Sequence, residues 1–82
     1  MGTKEILGEV NRIFADVLDD GNIVINEKTT ANDVEGWDSL THIQLVVAIE
    51  KHFKVRFTSL ELQTFANVGE MCESIKTKLR RS

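Results

Sequence analysis

Three stretches of this 82-residue chain set apolar side chains three and four positions apart, and the segments between them keep no helical period. That spacing marks helices with one buried face, so the sequence predicts an all-α protein. In residues 4–18, Ile6, Leu7, Val10, Ile13, Phe14, Val17 and Leu18 share a stripe, while Glu5, Glu9, Arg12 and Asp16 hold the other side. Thr3 is the expected cap, and Asp19-Asp20-Gly21-Asn22 is the stop, built from residues that tolerate turn backbone. Asp38 opens the second helix as its N-cap, followed by Leu40, Ile43, Val46, Val47, Ile49 and Phe53. Its run Leu45-Val46-Val47-Ala48-Ile49 is apolar nearly all round, which predicts the most enclosed helix, with an apolar strip to spare for another surface. Thr58 with Glu61 fits reciprocal capping of a short helix that carries Leu60, Leu62 and Phe65. Asn67 with Glu70 repeats the pattern before Val68, Met71, Cys72, Ile75 and Leu79. Lys76, Lys78, Arg80 and Arg81 then favour the negative end of that last helix.

These segments imply a four-helix bundle of three longer helices and one short one, in a single domain over residues 1–82. The absence of proline suits it. Between Gly21 and Trp37 the periodicity lapses: Ile23 and Ile25 read as a short extended piece pinned to the core, and Glu27 to Asp33 is polar and turn-rich. A first loop of that length is usually functional or disordered.

Composition narrows the function classes. A hydrophobic share of 41% argues against disorder, and a chain this short has little room for a deep catalytic cleft beside a core, so no enzyme activity is expected. A net charge of −3 argues against a nucleic-acid partner. No apolar run reaches the roughly 18–20 residues of a membrane span, and no stretch reads as a secretion signal. Cys72 has no cysteine to pair with, which suits a reducing cytosol. Four of the ten bases lie in the last seven residues; the first 75 then hold six bases against all thirteen acids, an acidic body with a basic tail. Such a body suits partners with basic surfaces.

Candidate chemistry is sparse. Asp16, Asp20, Gly21, Ile23 and Glu27 imitate a calcium loop, but Leu18 and Val24 stand where oxygen ligands belong, so a helix stop with an acidic loop is the better reading. Ser39 and His42 are three apart on one helix, yet a nucleophile also needs an orienting group and an oxyanion site, and neither is visible. No metal site is expected. His52 reads as a solvated side chain and Cys72 as a small buried hydrophobe. The remaining candidate is Trp37-Asp38-Ser39-Leu40. Ser39 follows a cap at the end of a polar loop and sits in the first helical turn, where N–H groups and the helix dipole favour an attached phosphate. Leu40 is expected to point inward and anchor the turn. On the residues alone, a modified serine and a second capping serine remain equally open.

A serine so placed, after a long loop and before a short third helix, resembles the acyl carrier protein family. The resemblance runs over essentially the whole chain: Asp38-Ser39-Leu40, Leu45-Val46 with Ile49-Glu50, Phe53-x-Val55-x-Phe57, and Val68-Gly69-Glu70. It implies 4′-phosphopantetheine in phosphodiester linkage to Ser39, installed from coenzyme A by a phosphopantetheinyl transferase that uses magnesium. Asp38 would be the neighbouring acid that helps bind the transferase's metal. The arm's thiol would carry acyl intermediates as thioesters to acyl-activating, synthase or acyltransferase enzymes, and the carrier would act as a cytoplasmic monomer. The resemblance makes the second helix the partner-reading element, with Leu40, Ile43, Val47 and Glu50 as its contacts. It also allows an acyl chain sheltered by Leu45, Ile49, Leu60 and Phe65. Thr41 and Gln44 stand where the family is commonly acidic, which sets the chain apart from carriers that serve the general fatty-acid synthase, and Trp37 before the motif with His42 after it implies a specialised discrete carrier for lipid, polyketide-like or glycan-modifying pathways. Two other readings are a peptidyl or aminoacyl carrier, and an unmodified helical module that binds a partner through Ile43 and Val47.

Overall fold

The computed structural model describes residues 2–65 and 67–81, without the side chains at 62–64 and 81. The expected Leu62 and Arg81 contacts therefore lie outside the described residues. Four helices follow in order: α1 (Thr3–Leu18), α2 (Ser39–Phe53), α3 (Ser59–Thr64) and α4 (Val68–Arg81). α1 packs against both α2 and α4, within extents of 33 × 25 × 22 Å.

The α1 stripe buries Ile6, Val10, Ile13 and Phe14, with Leu7, Val17 and Leu18 packed at its margins. Its cap is Gly2, not Thr3, which is the first helical residue. The Glu5 carboxylate accepts the Gly2 N–H at 3.4 Å, the half of a capping box that the third helical residue supplies, while glycine has no side chain to accept the first-turn N–H groups. The stop falls on Asp19, in the left-handed region at φ 53, with its N–H and that of Asp20 donating to the Ala15 carbonyl.

The long loop is held by α1 itself. Asn11 donates through Nδ2 to the Ile23 carbonyl (3.1 Å) and accepts the Ile25 N–H at Oδ1 (2.7 Å). One side chain thus plays the part of a neighbouring strand, and Ile25 enters the core. Further on, the Thr29 and Glu27 carbonyls accept the Val68 and Gly69 N–H groups at 2.9 and 2.8 Å. Those are donors that the first turn of α4 leaves unpaired. A Cβ at residue 69 would stand 2.8 Å from the Glu27 carbonyl oxygen, so this approach requires glycine.

α2 departs from the expected enclosure. Leu45, Val46, Ile49 and Phe53 are buried, but Leu40 (67% exposed), Ile43 (59%) and Val47 (42%) face out. The apolar run circles the helix while the bundle covers only one side of it. Lys54, at φ 58, ends the helix with its N–H on the Glu50 carbonyl.

α3 is capped as expected, with Thr58 Oγ1 accepting the Glu61 N–H and Glu61 Oε1 accepting the Thr58 N–H. Lys78 Nζ (2.9 Å) and Ser74 Oγ (3.2 Å) donate to the same carboxylate, which ties α3 to α4. The Phe57 and Phe65 rings meet edge to face at 5.4 Å. Leu60 is 71% exposed and does not line an interior with Leu45 and Ile49. Asn67 Oδ1 caps α4 through the Glu70 N–H, and Val68, Met71, Cys72 and Ile75 are fully buried. Burial pushes the Cys72 thiol up to about 11, consistent with a packed hydrophobe rather than a reactive thiolate.

Candidate functional site

The start of α2 is set by a tight network of short polar side chains. Gly36, at φ +88, reverses the chain ahead of the helix. Asp38 then takes extended backbone, and its Oδ1 accepts the N–H groups of Leu40 and Thr41, each at 3.0 Å. The Thr41 hydroxyl accepts the Asp38 N–H and donates to the Gly36 carbonyl, both at 2.7 Å. Threonine therefore does here what Glu or Gln does in the usual capping box. These bonds, the Thr41 N–H foremost, hold the Asp38 carboxyl below its ordinary range, so it is ionised at neutral pH.

Ser39 is the first residue of the helix and is exposed. Among the described residues nothing hydrogen bonds its hydroxyl. Capping belongs to Asp38 and Thr41, which removes the reading of Ser39 as a second capping residue. The hydroxyl opens onto a shallow depression that Ala31, Trp37, Asp38 and His42 complete.

Trp37 anchors this end of the helix to the core. Buried, it meets Phe14 edge-on at 4.9 Å, and its indole N–H donates to His42 Nδ1 at 3.1 Å. That bond leaves the proton of the neutral imidazole on Nε2. His42 bonds Trp37 and Asp38 bonds the helix start, so the arrangement of a catalytic triad is not assembled. Among the described residues, no group of three His, Cys, Asp or Glu side chains gathers to hold a metal. Asp20, of the calcium-like pattern, accepts the Asn22 N–H in a turn. His52 pairs with Glu9 at 3.1 Å and links α2 to α1.

The expected contact residues divide. Leu40, Ile43 and Val47 form one exposed strip along α2; Leu40 does not point inward, because it lies three and seven residues before Ile43 and Val47, on the helix face opposite the buried Leu45, Val46 and Ile49. Glu50 is half-buried, and its Oε2 accepts the Phe57 N–H at 2.8 Å, bracing the linker. Leu45 and Ile49 are fully buried and Phe65 is half-buried. Thr41, Asn11 and the Trp37–His42 bond were not read from sequence, although the three-residue step from Asp38 to Thr41 is the spacing of a capping box.

The site suits a bulky phosphate ester. Its hydroxyl is accessible and unengaged and the adjoining depression is open, while the Leu40 and Thr41 N–H groups are taken by Asp38, so the helix start offers an attached phosphate its dipole rather than those donors.

Comparison with known proteins agrees in kind. The family described as "Phosphopantetheine attachment site" matches residues 8–75. An acyl carrier protein of Thermosynechococcus vestitus is 32% identical over 80 residues, 96% of this chain and 98% of that protein. Another, from Cyanidium caldarium, is 32% identical over 77 residues, 93% of this chain and 88% of its own length. The solution structure of a holo acyl carrier protein from Geobacter metallireducens superposes with a TM-score of 0.87 at 42% identity, covering 93% of this chain and 87% of that one.

Proposed function

We propose, from the premise that this chain belongs to the acyl carrier protein family, that Ser39 is the residue to which its 4′-phosphopantetheine is joined. The observation that carries the assignment is the exposed Ser39 hydroxyl, free of the capping network around it. When bound, the group supplies a flexible arm whose terminal thiol holds acyl chains as thioesters. In loading, Ser39 Oγ forms the phosphodiester bond, its proton passes to a base of the transferase, and adenosine 3′,5′-bisphosphate leaves coenzyme A. Asp38 spends Oδ1 on the helix start, and its carboxylate would help to hold the magnesium that the transferase uses. The rest of the chain makes and breaks no bonds.

Leu40, Ile43 and Val47 are the apolar face offered to partner enzymes, a transferase first and acyl-activating, synthase or acyltransferase enzymes afterwards. Glu50 borders that face beside Val47. The near-neutral α2 supports a specialised discrete carrier of lipid, polyketide or related biosynthesis, working as a cytoplasmic monomer.

The test is intact-mass analysis after incubation with coenzyme A, magnesium and a broad-specificity transferase. The expected result is a gain of one arm in the unmodified protein and none in Ser39→Ala. No gain, or a gain that survives the substitution, overturns the assignment. Fatty-acyl and amino-acyl activating enzymes offered to the loaded protein separate the acyl reading from the aminoacyl one.

A further inference from the structure

The charge along α2 changes sign from one end to the other. Asp38 caps the Ser39 end, with Asp33 and Glu35 earlier in the loop that leads to it, while Lys51 and Lys54 close the far end and Arg56 follows in the linker. Between them the exposed face holds Leu40, Ile43, Gln44 and Val47. The far end is also a groove: Val47 and Val55 give it an apolar lining, and Lys51, Lys54 and Arg56 rim it. The three cations are exposed, and among the described residues none forms an ion pair. Glu50, the single acid in the groove, already accepts the Phe57 N–H.

A helix C-terminus attracts positive side chains, and that accounts for Lys51 and Lys54 on stability grounds alone. It does not account for Arg56, which lies beyond the helix, or for the apolar lining the three surround. The Lys54 backbone is moreover set by its left-handed conformation and by its N–H bond to the Glu50 carbonyl.

We propose that this end of α2 docks an apolar protein surface rimmed by Asp and Glu, so that the partner reads the carrier by a basic patch remote from Ser39. The proposal rests on the carrier reading for its purpose, but the groove and its charges stand without it. From Ser39 to Lys54 is about 22 Å along a helix rising about 1.5 Å per residue. A partner that engages the acidic end at Ser39 and the basic end together therefore sits in one direction only, because reversal opposes like charges. A nucleic acid or an anionic membrane fits less well, since Glu50 lines the groove itself and the ionised Asp38 opens the same helix.

The test uses the full unmodified chain, so its outcome does not depend on Ser39 loading. Two synthetic amphipathic helical peptides with the same Leu/Ile stripe, one rimmed with Glu and the other with Lys, are titrated into isotope-labelled protein and followed by amide shifts. The Glu-rimmed peptide is expected to bind at least about tenfold more tightly, a difference of about 1.4 kcal/mol. Its shifts are expected at Val47, Lys51, Lys54, Val55 and Arg56, weakening as salt is raised. Joint Lys51→Glu, Lys54→Glu and Arg56→Glu substitution is expected to reverse the preference, with circular dichroism reporting that the helices are intact. Equal or tighter binding of the Lys-rimmed peptide, binding of neither, or stronger shifts from phosphatidylserine vesicles or a DNA duplex than from the Glu-rimmed peptide overturns the proposal.

Discussion

Replacing Asn11 with alanine should remove about half of the stability of this fold. The Ile25 N–H, on a residue that is 4% exposed, loses its acceptor at 2.7 Å, and the half-buried Ile23 carbonyl loses its donor at 3.1 Å. A buried polar group left unpaired costs about 1–3 kcal/mol. The carbonyl is partly within reach of water, so it belongs at the low end, and the two together come to about 2–3 kcal/mol. A core of this size supplies only about 3–5 kcal/mol, so the loss is large against the whole. Urea unfolding followed by far-ultraviolet circular dichroism reads it directly. With a slope of about 1 kcal/mol per molar urea for a small domain, the midpoint should fall by about 2–3 M. Asn11→Asp gives a sharper version. An ionised aspartate accepts from Ile25 but repels the Ile23 carbonyl, whereas the protonated acid regains a donor; its deficit against the parent should therefore shrink as pH falls through the carboxylate range. A loss below about 0.5 kcal/mol for Asn11→Ala, or a pH-independent deficit for Asn11→Asp, would refute the idea that this side chain holds the loop.

Three further outcomes follow from other contacts. The Glu61 carboxyl is lowered to about 2, chiefly by the hydrogen bond from Lys78, so its contribution is complete above the ordinary range near 4.5 and fades as pH drops from about 5 towards 2. The pair is partly exposed, at 23% and 30%, so Glu61→Gln should cost about 0.5–1 kcal/mol at pH 7, with a gap that closes in acid melts. Gly69→Ala sets a Cβ against the Glu27 carbonyl and should cost about 1–3 kcal/mol by overpacking, visible as faster hydrogen exchange at residues 68 and 69. Cys72, fully buried with its thiol raised to about 11, should resist a thiol reagent at pH 8 in the native protein and react once urea unfolds it.

The helices and the exposed place of Ser39 at a helix start were legible because they rest on local signals. Apolar spacing found α1, α2 and α4, and the Thr58–Glu61 and Asn67–Glu70 pairs found the starts of α3 and α4. Contacts between distant segments were not legible. Asn11 reads as one more polar residue of a helix, and only the folded chain shows it twelve and fourteen residues away on the loop. The direction of Leu40 and Leu60 failed for a related reason: helical periodicity identifies apolar positions but not which of them the bundle covers. Glu50 looked like a surface acid because its partner, the Phe57 N–H, belongs to the linker that turns back towards it. In the site, Asp38-Ser39-Leu40 located the hydroxyl, while the Trp37–His42 bond needed the turn at Gly36.

The central claim is that one arm is attached and that Ser39 holds it. Fragment-mass mapping of the protein purified from its native host tests this most directly. The peptide of residues 29–51, released by cleavage after Lys28 and Lys51, should carry one phosphopantetheinyl group, with fragments placing it on Ser39 and every other peptide unmodified. An arm on any other residue, or an unmodified Ser39 in protein that carries the arm, would contradict it.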